Sequence, residues 1–373
     1  NTTGAFHILA PNTSWKWVGR LGVLTGFVIM GFYMVVCGWT LEYIWQSVSG
    51  KLATVTDFSA NFAALQQDHL KQTLLMTGFT VLTLLFTLSG VRKGVEKSSK
   101  IFMPILFLLL ILLGIRSVTL PGAIEGLEFL FKPNIEHVKS TVFLDAMGQA
   151  FFSLSLGMGC MITYGSYFSN SSNLTKTAIQ VSVLDMFVAI LAGIVIFPSA
   201  FALTSNPDTI LGDLINGGPG LLFITLPQLF NEMPLSMLWS SLFFILVAIA
   251  AVTSTISLLE VVTIYIQEEY KRTRHESAVL VAIGVLVLGT VSSFSPKFFG
   301  LLDSVSAEWM LPIGGFFISL FVGWYLDEKL VYAQLTNEGR EQFGIKFLKG
   351  YRFILKYLAP LAILAIFVYG LIG

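Results

Sequence analysis

Apolar runs long enough to cross a bilayer recur along the whole chain, and this feature constrains the fold more than any other. A hydrocarbon core about 30 Å thick requires about 20 apolar residues per helix. Nine such runs are present, at about 17–48, 71–91, 101–119, 141–169, 175–203, 236–267, 277–294, 305–326 and 348–372. Continuous runs of this length exclude a porin-like barrel, whose strands would be short and alternating. We therefore predict an all-α polytopic membrane protein with about nine transmembrane helices.

The composition agrees with this fold class and excludes several functions. Charged residues make up 12% of the chain, whereas an average soluble domain has about 25%. The 22 basic and 22 acidic residues cancel, so the net positive charge typical of a nucleic-acid-binding protein is missing. The sequence contains no recognisable nucleophile–base pair or metal-ligand spacing, so we do not expect an enzyme. Cys37 and Cys160 both fall inside apolar runs, which favours packing over a disulfide.

The distribution of Lys and Arg between the loops predicts the orientation. If the stretch before residue 17 is cytoplasmic, the cytoplasmic side holds 16 of these residues and the outer side holds 6. We therefore expect a multi-pass protein of the plasma (inner) membrane whose chain begins inside and ends outside. The outer segments 49–70 and 204–235 are too long for simple turns. The second contains the apolar run 221–226, which we expect to dip back against the protein as a lid or as a fixed cap.

The fourth apolar run is interrupted at its middle by small and hydroxyl residues. Ser153, Ser155, Gly157 and Gly159 fall within seven positions. Glycine weakens a helix, and serine hydroxyls offer alternative partners to backbone groups. This pattern predicts either an unwound hinge at about 153–158 or close packing against a neighbouring helix.

The fifth run carries an acidic residue, Asp185, near the middle of the bilayer. A carboxylate at this depth costs about 2.5–3.5 kcal/mol on insertion scales, so it is expected to face the interior and to have a partner. No Lys or Arg occurs between Lys176 and Lys271, which excludes a cationic side chain from the adjacent runs. Asp185 is therefore predicted to bind a cation or a proton, or else to be a hydrogen-bonded structural acid.

The sixth run contains four hydroxyl residues within five positions, from Thr253 to Ser257. Such hydroxyls can bond back to helix carbonyls and bend the helix. Alternatively, Thr253 and Ser254 beside a freed carbonyl of Ala250 would form an oxygen cluster suited to sodium. The first run places Tyr33 at a similar depth. Polar groups from four runs at one depth predict a transport site.

These residues resemble a known family. The stretch Gly148–Tyr167 resembles the sixth helix of the neurotransmitter:sodium symporters, and residues 250–257 resemble the eighth helix. Tyr33 with 39–41 resembles the third helix, and 90–96 resembles the connection between the fourth and fifth helices. The resemblance covers essentially the whole chain, except that the first two helices of the family have no counterpart. It therefore implies a fragment that needs the missing N-terminal helices.

The resemblance implies the inverted-repeat symporter fold of the leucine-transporter type. Residues 17–119 would be the remaining three helices of the first repeat, 141–326 the five helices of the second, and 348–372 an additional C-terminal helix. All of them would belong to one transmembrane domain spanning residues 1–373.

The resemblance also implies roles for individual residues. The substrate-binding residues would be Ile29, Tyr33, Phe152, Ser153, Ser155, Met158, Ser254 and Leu258. The sodium ligands would be Ser153, Asp185, Ala250, Thr253 and Ser254. Phe152 would gate the outer side, and Tyr167 and Glu268 would gate the inner side, with either Glu308 or Asp303 as the outer-gate acid.

Together these expectations predict a sodium-coupled symporter of a neutral, hydrophobic amino acid that works by alternating access. Asp185 stands where many relatives have a sodium-binding Asn, and by analogy we expect transport to be independent of chloride. Sodium ions are the only cofactor expected, and no organic cofactor is. The expected partners are the amino-acid substrate and the lipid bilayer, and a homodimer is left open. Two alternatives remain, namely proton coupling through Asp185 and a membrane fragment that does not transport.

Overall fold

A computed structural model describes residues 1–90, 96–132, 140–168, 172–203, 218–341 and 343–372. Within these ranges the chain forms fifteen helices of six or more residues, besides a short 3₁₀ turn at Leu52–Thr54 and a π-helical turn at Leu221–Thr225. They are α1 (Thr2–Leu9), α2 (Lys16–Val48), α3 (Phe58–Gln67), α4 (His69–Leu88), α5 (Lys97–Val118), α6 (Ala123–Phe131), α7 (Ser140–Ser153), α8 (Cys160–Gly165), α9 (Leu174–Leu203), α10 (Leu226–Asn231), α11 (Ser236–Glu269), α12 (Arg274–Phe294), α13 (Pro296–Tyr325), α14 (Glu328–Leu335) and α15 (Lys346–Tyr369).

Eight helices are long and apolar enough to cross a membrane: α2, α4, α5, α9, α11, α12, α13 and α15. They correspond to eight of the nine predicted runs. The remaining run, 141–169, forms two shorter helices, α7 and α8, with a non-helical stretch between them. The polytopic helical fold is therefore confirmed, and the predicted interruption of the fourth run is present.

The start of α13 differs from the prediction. The apolar run indicated a helix from about 305, whereas the helix begins at Pro296. Ser295 caps this end, since its Oγ accepts a hydrogen bond from the backbone N of Phe298 at 3.2 Å, and proline suits the first helical position. Lys297 and Asp303 lower the hydropathy of these first turns, which is why an apolar-run criterion missed them.

The centre of the molecule is α2, which packs against α4, α11 and α12. Glycines allow some of these helices to come into close contact. A Cβ atom on Gly38 would lie 2.8 Å from the backbone N of Met76 in α4, so only glycine fits there. Cys37 and Cys160 are buried and free, as their apolar neighbourhoods predicted. The second group of packed helices consists of α7, α13 and α15.

The described part of the 204–235 segment packs deeply against the helices, while 204–217 lie outside the described residues. Phe223 and Leu226 are fully buried. The hydroxyl of Tyr43 in α2 donates a hydrogen bond to the carbonyl of Phe223 at 2.6 Å. Phe62 of α3 stacks on the Phe223 ring. The short apolar run therefore dips back against the protein, as its length and sequence predicted.

Candidate ion and substrate site

The site is built around the break between α7 and α8. Helix α7 ends at Ser153 and α8 begins at Cys160. Ser155, Gly157 and Gly159 between them have φ values of +54°, +84° and +79°. Glycine adopts such left-handed conformations readily, whereas for serine they are uncommon. The predicted hinge at about 153–158 is therefore confirmed as an unwound segment.

Close packing, the other interpretation of the same sequence, is also present. A Cβ atom on Gly157 would lie 2.5 Å from the carbonyl O of Leu311, and one on Gly22 would lie 3.2 Å from the N of Gly159. The unwound backbone is therefore wedged between α2 and α13. The small residues serve both purposes, because the unwound chain has little side-chain bulk and can approach two helices at once.

Ser153 and Asp185 meet across the gap between α7 and α9. The Ser153 hydroxyl lies 2.6 Å from Oδ1 and 2.7 Å from Oδ2 of Asp185, so its single proton is shared between the two carboxylate oxygens. This contact is the hydrogen bond that a structural acid would need. It also directs the hydroxyl proton towards the carboxylate, which leaves the serine lone pairs and further carboxylate lone pairs open to a cation.

Three predicted sodium ligands share one face of α11. Ala250, Thr253 and Ser254 are spaced by three and four residues, and all three are partly exposed or exposed although their neighbours Ala251 and Val252 are buried. The expectation of a freed Ala250 carbonyl was wrong. Helix α11 is continuous here, and the Thr253 hydroxyl donates to that carbonyl at 2.8 Å. This back-bonding is the ordinary role of a helical threonine.

The hydroxyl of Tyr33 on α2 interacts with the side chain of Ser254 on α11. Two predicted substrate residues are thus brought together from helices far apart in sequence.

An apolar wall lies beside these polar groups. Ile29, Met158 and Leu258 are each 5% exposed and belong to one core cluster. A Cβ atom on Gly26 would lie 3.6 Å from the Met158 carbonyl and 3.7 Å from Cδ2 of Leu258, so the last two residues meet over this glycine. The arrangement combines hydroxyl groups with aliphatic and thioether side chains, a combination suited to a small amphiphilic molecule.

Phe152, the predicted outer gate, is 45% exposed. It lines a small cavity of about 50 Å³ between α7, α13 and α15, together with Phe151, Leu311 and Ile363.

The two acids considered for the outer gate, Asp303 and Glu308, both lie exposed on α13. Neither makes an ion pair with another described residue. The outer-gate role of either acid stays a prediction.

The predicted inner-gate residues do not contact each other. The Tyr167 hydroxyl donates to Oε1 of Glu260 at 2.7 Å. Glu268, 52% exposed, instead accepts a hydrogen bond from Nδ2 of Asn1 at 2.7 Å.

Glu260 is the centre of a polar cluster that sequence reasoning missed. It is fully buried and forms a bidentate ion pair with the Arg274 guanidinium. Arg274 also donates to the carbonyl O of Thr87 from Nε at 3.1 Å and from Nη2 at 2.8 Å. The sequence contained one signal, an acid within an apolar run. The pairing with Arg274 could not be predicted, because Arg274 lies in a predicted loop, fourteen residues further along the chain.

Comparison with known proteins agrees with this architecture. Residues 55–373 match the family model described as the sodium:neurotransmitter symporter family. The chain is 34% identical over 386 residues to an uncharacterized sodium-dependent transporter, YhdH, of Bacillus subtilis (strain 168), covering all of this chain and 83% of that protein. It is 33% identical to an uncharacterized sodium-dependent transporter of Haemophilus influenzae, covering 96% of this chain and 79% of the relative.

A solved structure is also similar over nearly the whole chain. The crystal structure of MhsT in complex with L-phenylalanine superposes with a TM-score of 0.87 at 37% sequence identity. The match covers 99% of this chain and 84% of the MhsT chain. The chain is therefore a partial counterpart of longer relatives with the same helical arrangement.

Proposed function

The chain belongs to the sodium:neurotransmitter symporter family, and from this membership and the site geometry we propose that it carries a neutral, hydrophobic amino acid across the membrane together with sodium. Sodium dependence is the named property of its bacterial relatives. The observation that carries the finer proposal is the meeting of Ser153 and Asp185 beside the unwound segment. Transport proceeds by alternating access, with ions and substrate bound at the centre.

The proposed substrate class rests on the chemistry of the pocket wall. Ile29, Met158 and Leu258 present apolar surface, and Tyr33 offers a hydroxyl that can donate to a substrate carboxylate. The similar MhsT structure holds L-phenylalanine, an amino acid of this class. Ser155, which lies in the unwound segment at a positive φ, would contribute backbone groups to the same pocket. Phe152 closes the pocket on the outer side, as its place at the end of α7 suggests.

The proposed sodium ligands are oxygen atoms, which suit a hard cation. Ser153 and Asp185 supply a hydroxyl and a carboxylate to one ion. The hydroxyls of Thr253 and Ser254 supply oxygen atoms to a second ion. The Thr253 proton points at the Ala250 carbonyl, so the lone pairs of the hydroxyl stay available to a cation. A bound sodium supplies positive charge near the substrate carboxylate and thereby favours the substrate-competent state.

The inner end of the pathway is closed in this proposal by Tyr167, Glu260 and Arg274, with Glu268 nearer the surface. The hydrogen bond from Tyr167 to Glu260 and the ion pair to Arg274 tie the α8 end to α11 and α12. Opening to the cytoplasm would require at least the Tyr167 contact to break. The cytoplasmic assignment of this end, and of the N-terminal end of the chain, rests on the excess of basic residues there.

The experiment is uptake of radiolabelled L-phenylalanine into proteoliposomes containing the product of the complete gene. We expect uptake driven by an inward sodium gradient, absent when choline replaces sodium, and unchanged when gluconate replaces chloride. Stimulation by chloride of several-fold would contradict chloride independence alone. A steep pH dependence in sodium-free buffer would instead support proton coupling through Asp185. Absence of transport under all gradients, for every hydrophobic amino acid tested, would contradict the proposal and favour a non-transporting role.

A further inference from the structure

Helix α15 carries a basic stripe at one end that the transport site does not use. Lys346, Lys349, Arg352 and Lys356 follow one another at spacings of three, three and four residues, which places them on one side of the helix. No acidic residue occurs after Glu341. Lys346 and Lys349 are exposed and form no ion pair with any residue that the structure describes. The stripe therefore keeps a local positive charge in a chain whose net charge is zero.

The same turns of α15 carry exposed apolar side chains. Phe347, Phe353 and Ile354 are 47%, 61% and 46% exposed. Trp324, at the end of α13, and Tyr357 are also about half exposed and contact each other edge to face. Trp and Tyr are enriched where a helix passes from the hydrocarbon core to the headgroups. The basic stripe thus lies at headgroup depth, beside surface that faces acyl chains.

Four contacts hold the stripe in place against α13 and α14. The Trp324 indole donates to the carbonyl O of Lys356 at 2.8 Å, and the Lys356 ammonium lies 4.5 Å from the centre of the Trp324 ring. Arg352 pairs with Glu328 of α14 at 3.0 Å. A Cβ atom on Gly323 would lie 2.8 Å from the carbonyl O of Leu355, so the two helices touch through their backbones. The cations are therefore presented from a fixed surface.

We propose that this surface, formed by Lys346, Lys349 and Lys356 with Trp324, binds the headgroup of an anionic phospholipid. The lysines complement the phosphate charge, and the neighbouring apolar side chains contact the acyl chains. Basic clusters next to a transmembrane helix attract acidic lipids with an affinity gain of about fivefold for each Lys or Arg. The predicted orientation places the surface at the cytoplasmic leaflet, but the binding itself depends neither on that orientation nor on the proposed transport activity.

The test compares lipid binding to the full chain in detergent by native mass spectrometry. Dioctanoyl phosphatidylglycerol, dioctanoyl phosphatidylcholine and glycerol 3-phosphate are titrated separately. The variant Lys346→Gln/Lys349→Gln removes two charges from the surface. The matched control, Lys51→Gln/Lys297→Gln, removes two exposed lysines from the opposite side of the predicted topology. Thermal unfolding of each variant verifies that it is folded.

We expect phosphatidylglycerol to bind better than phosphatidylcholine, and the surface variant to bind it about 25-fold more weakly, from roughly fivefold per lysine. The control variant should bind phosphatidylglycerol as tightly as the unaltered chain does. Equal binding of the two lipids would overturn the proposal, and so would an equal loss in both variants. Binding of glycerol 3-phosphate as tight as that of the lipid would assign the surface to a soluble anion instead.

Discussion

At the scale of single residues, the Ser153–Asp185 contact carries the most chemical information. A carboxylate within an apolar helix needs a partner, and Ser153 provides a hydroxyl at 2.6–2.7 Å from both oxygens. Replacing Ser153 with Ala removes that oxygen from the proposed sodium site. We expect the sodium concentration for half-maximal uptake to rise about tenfold, equivalent to about 1.4 kcal/mol, with Ser153→Thr retaining near-normal affinity.

The matched control for this substitution is Ser182→Ala. Ser182 lies one turn before Asp185 on the same helix, and its hydroxyl donates only to the carbonyl of Ala178 at 3.0 Å. Its removal should leave sodium affinity unchanged. If Ser153→Ala and Ser182→Ala behave alike, Ser153 is not a sodium ligand, and its hydrogen bond to Asp185 is structural.

A second residue-scale prediction concerns the buried ion pair between Glu260 and Arg274. Glu260 is fully buried, so Glu260→Gln leaves the Arg274 charge without its partner in a poorly solvated place. Breaking a buried pair in this way typically costs about 3–5 kcal/mol, and the 21% exposure of Arg274 places the expected loss near the lower end. Thermal unfolding, monitored by tryptophan fluorescence, measures this loss of stability.

The exposed pair Glu128–Lys132 provides the comparison. These side chains are 62% and 76% exposed and lie 3.6 Å apart, so Glu128→Gln should change stability by no more than about 0.5 kcal/mol. The double variant Glu260→Gln/Arg274→Gln should recover part of the loss, because it removes the unpaired charge. A Glu260→Gln variant as stable as Glu128→Gln would contradict a stabilising role for the buried pair.

At the scale of elements, the break between α7 and α8 determines how the site is assembled. Gly157 has a φ of +84°, and an added Cβ would lie 2.5 Å from the Leu311 carbonyl. Gly157→Ala therefore combines an unfavourable left-handed conformation, about 1–2 kcal/mol, with a collision against backbone. We expect uptake to fall by more than about tenfold. Gly165→Ala is the control, because nothing lies within 4 Å of its added Cβ, and equal effects would contradict the packing argument.

The sequence indicated this break because glycine and serine at the middle of a long apolar run weaken a helix wherever they occur. It did not indicate which neighbours the unwound backbone would touch. Contacts with α2 and α13 depend on how helices distant in sequence pack, and a single sequence contains no direct record of that packing. The early start of α13 was missed for a different reason. A serine cap and a proline specify a helix start without adding hydropathy.

At the scale of the whole molecule, depth along each apolar run was the most useful guide to the site. It brought Tyr33, Ser153, Asp185 and Ser254 to one level, and the structure joins them as two contacting pairs. Depth does not specify which face of a helix points inward. For this reason the sequence could not predict that Tyr167 pairs with Glu260 instead of Glu268. Nor could it predict the contact of Arg274 with Glu260 across the turn from α11 to α12.

The division into inverted repeats, 17–119 and 141–326 with an additional helix at 348–372, stays a prediction. So do the orientation in the membrane and a homodimer. The helical arrangement shared with the MhsT structure, at a TM-score of 0.87, places the chain in the fold to which such repeats belong.

The central claim is that Asp185 binds a coupling sodium ion. The most direct measurement is the sodium dependence of L-phenylalanine binding to the Asp185→Ala variant of the complete gene product, with Asp145→Ala as control. Asp145 is an exposed carboxylate on α7. We expect Asp185→Ala, which removes both side-chain oxygens, to weaken the apparent sodium affinity by about tenfold or more, while Asp145→Ala leaves it unchanged. An unchanged sodium affinity in Asp185→Ala would contradict the claim and leave Asp185 as a hydrogen-bonded structural acid.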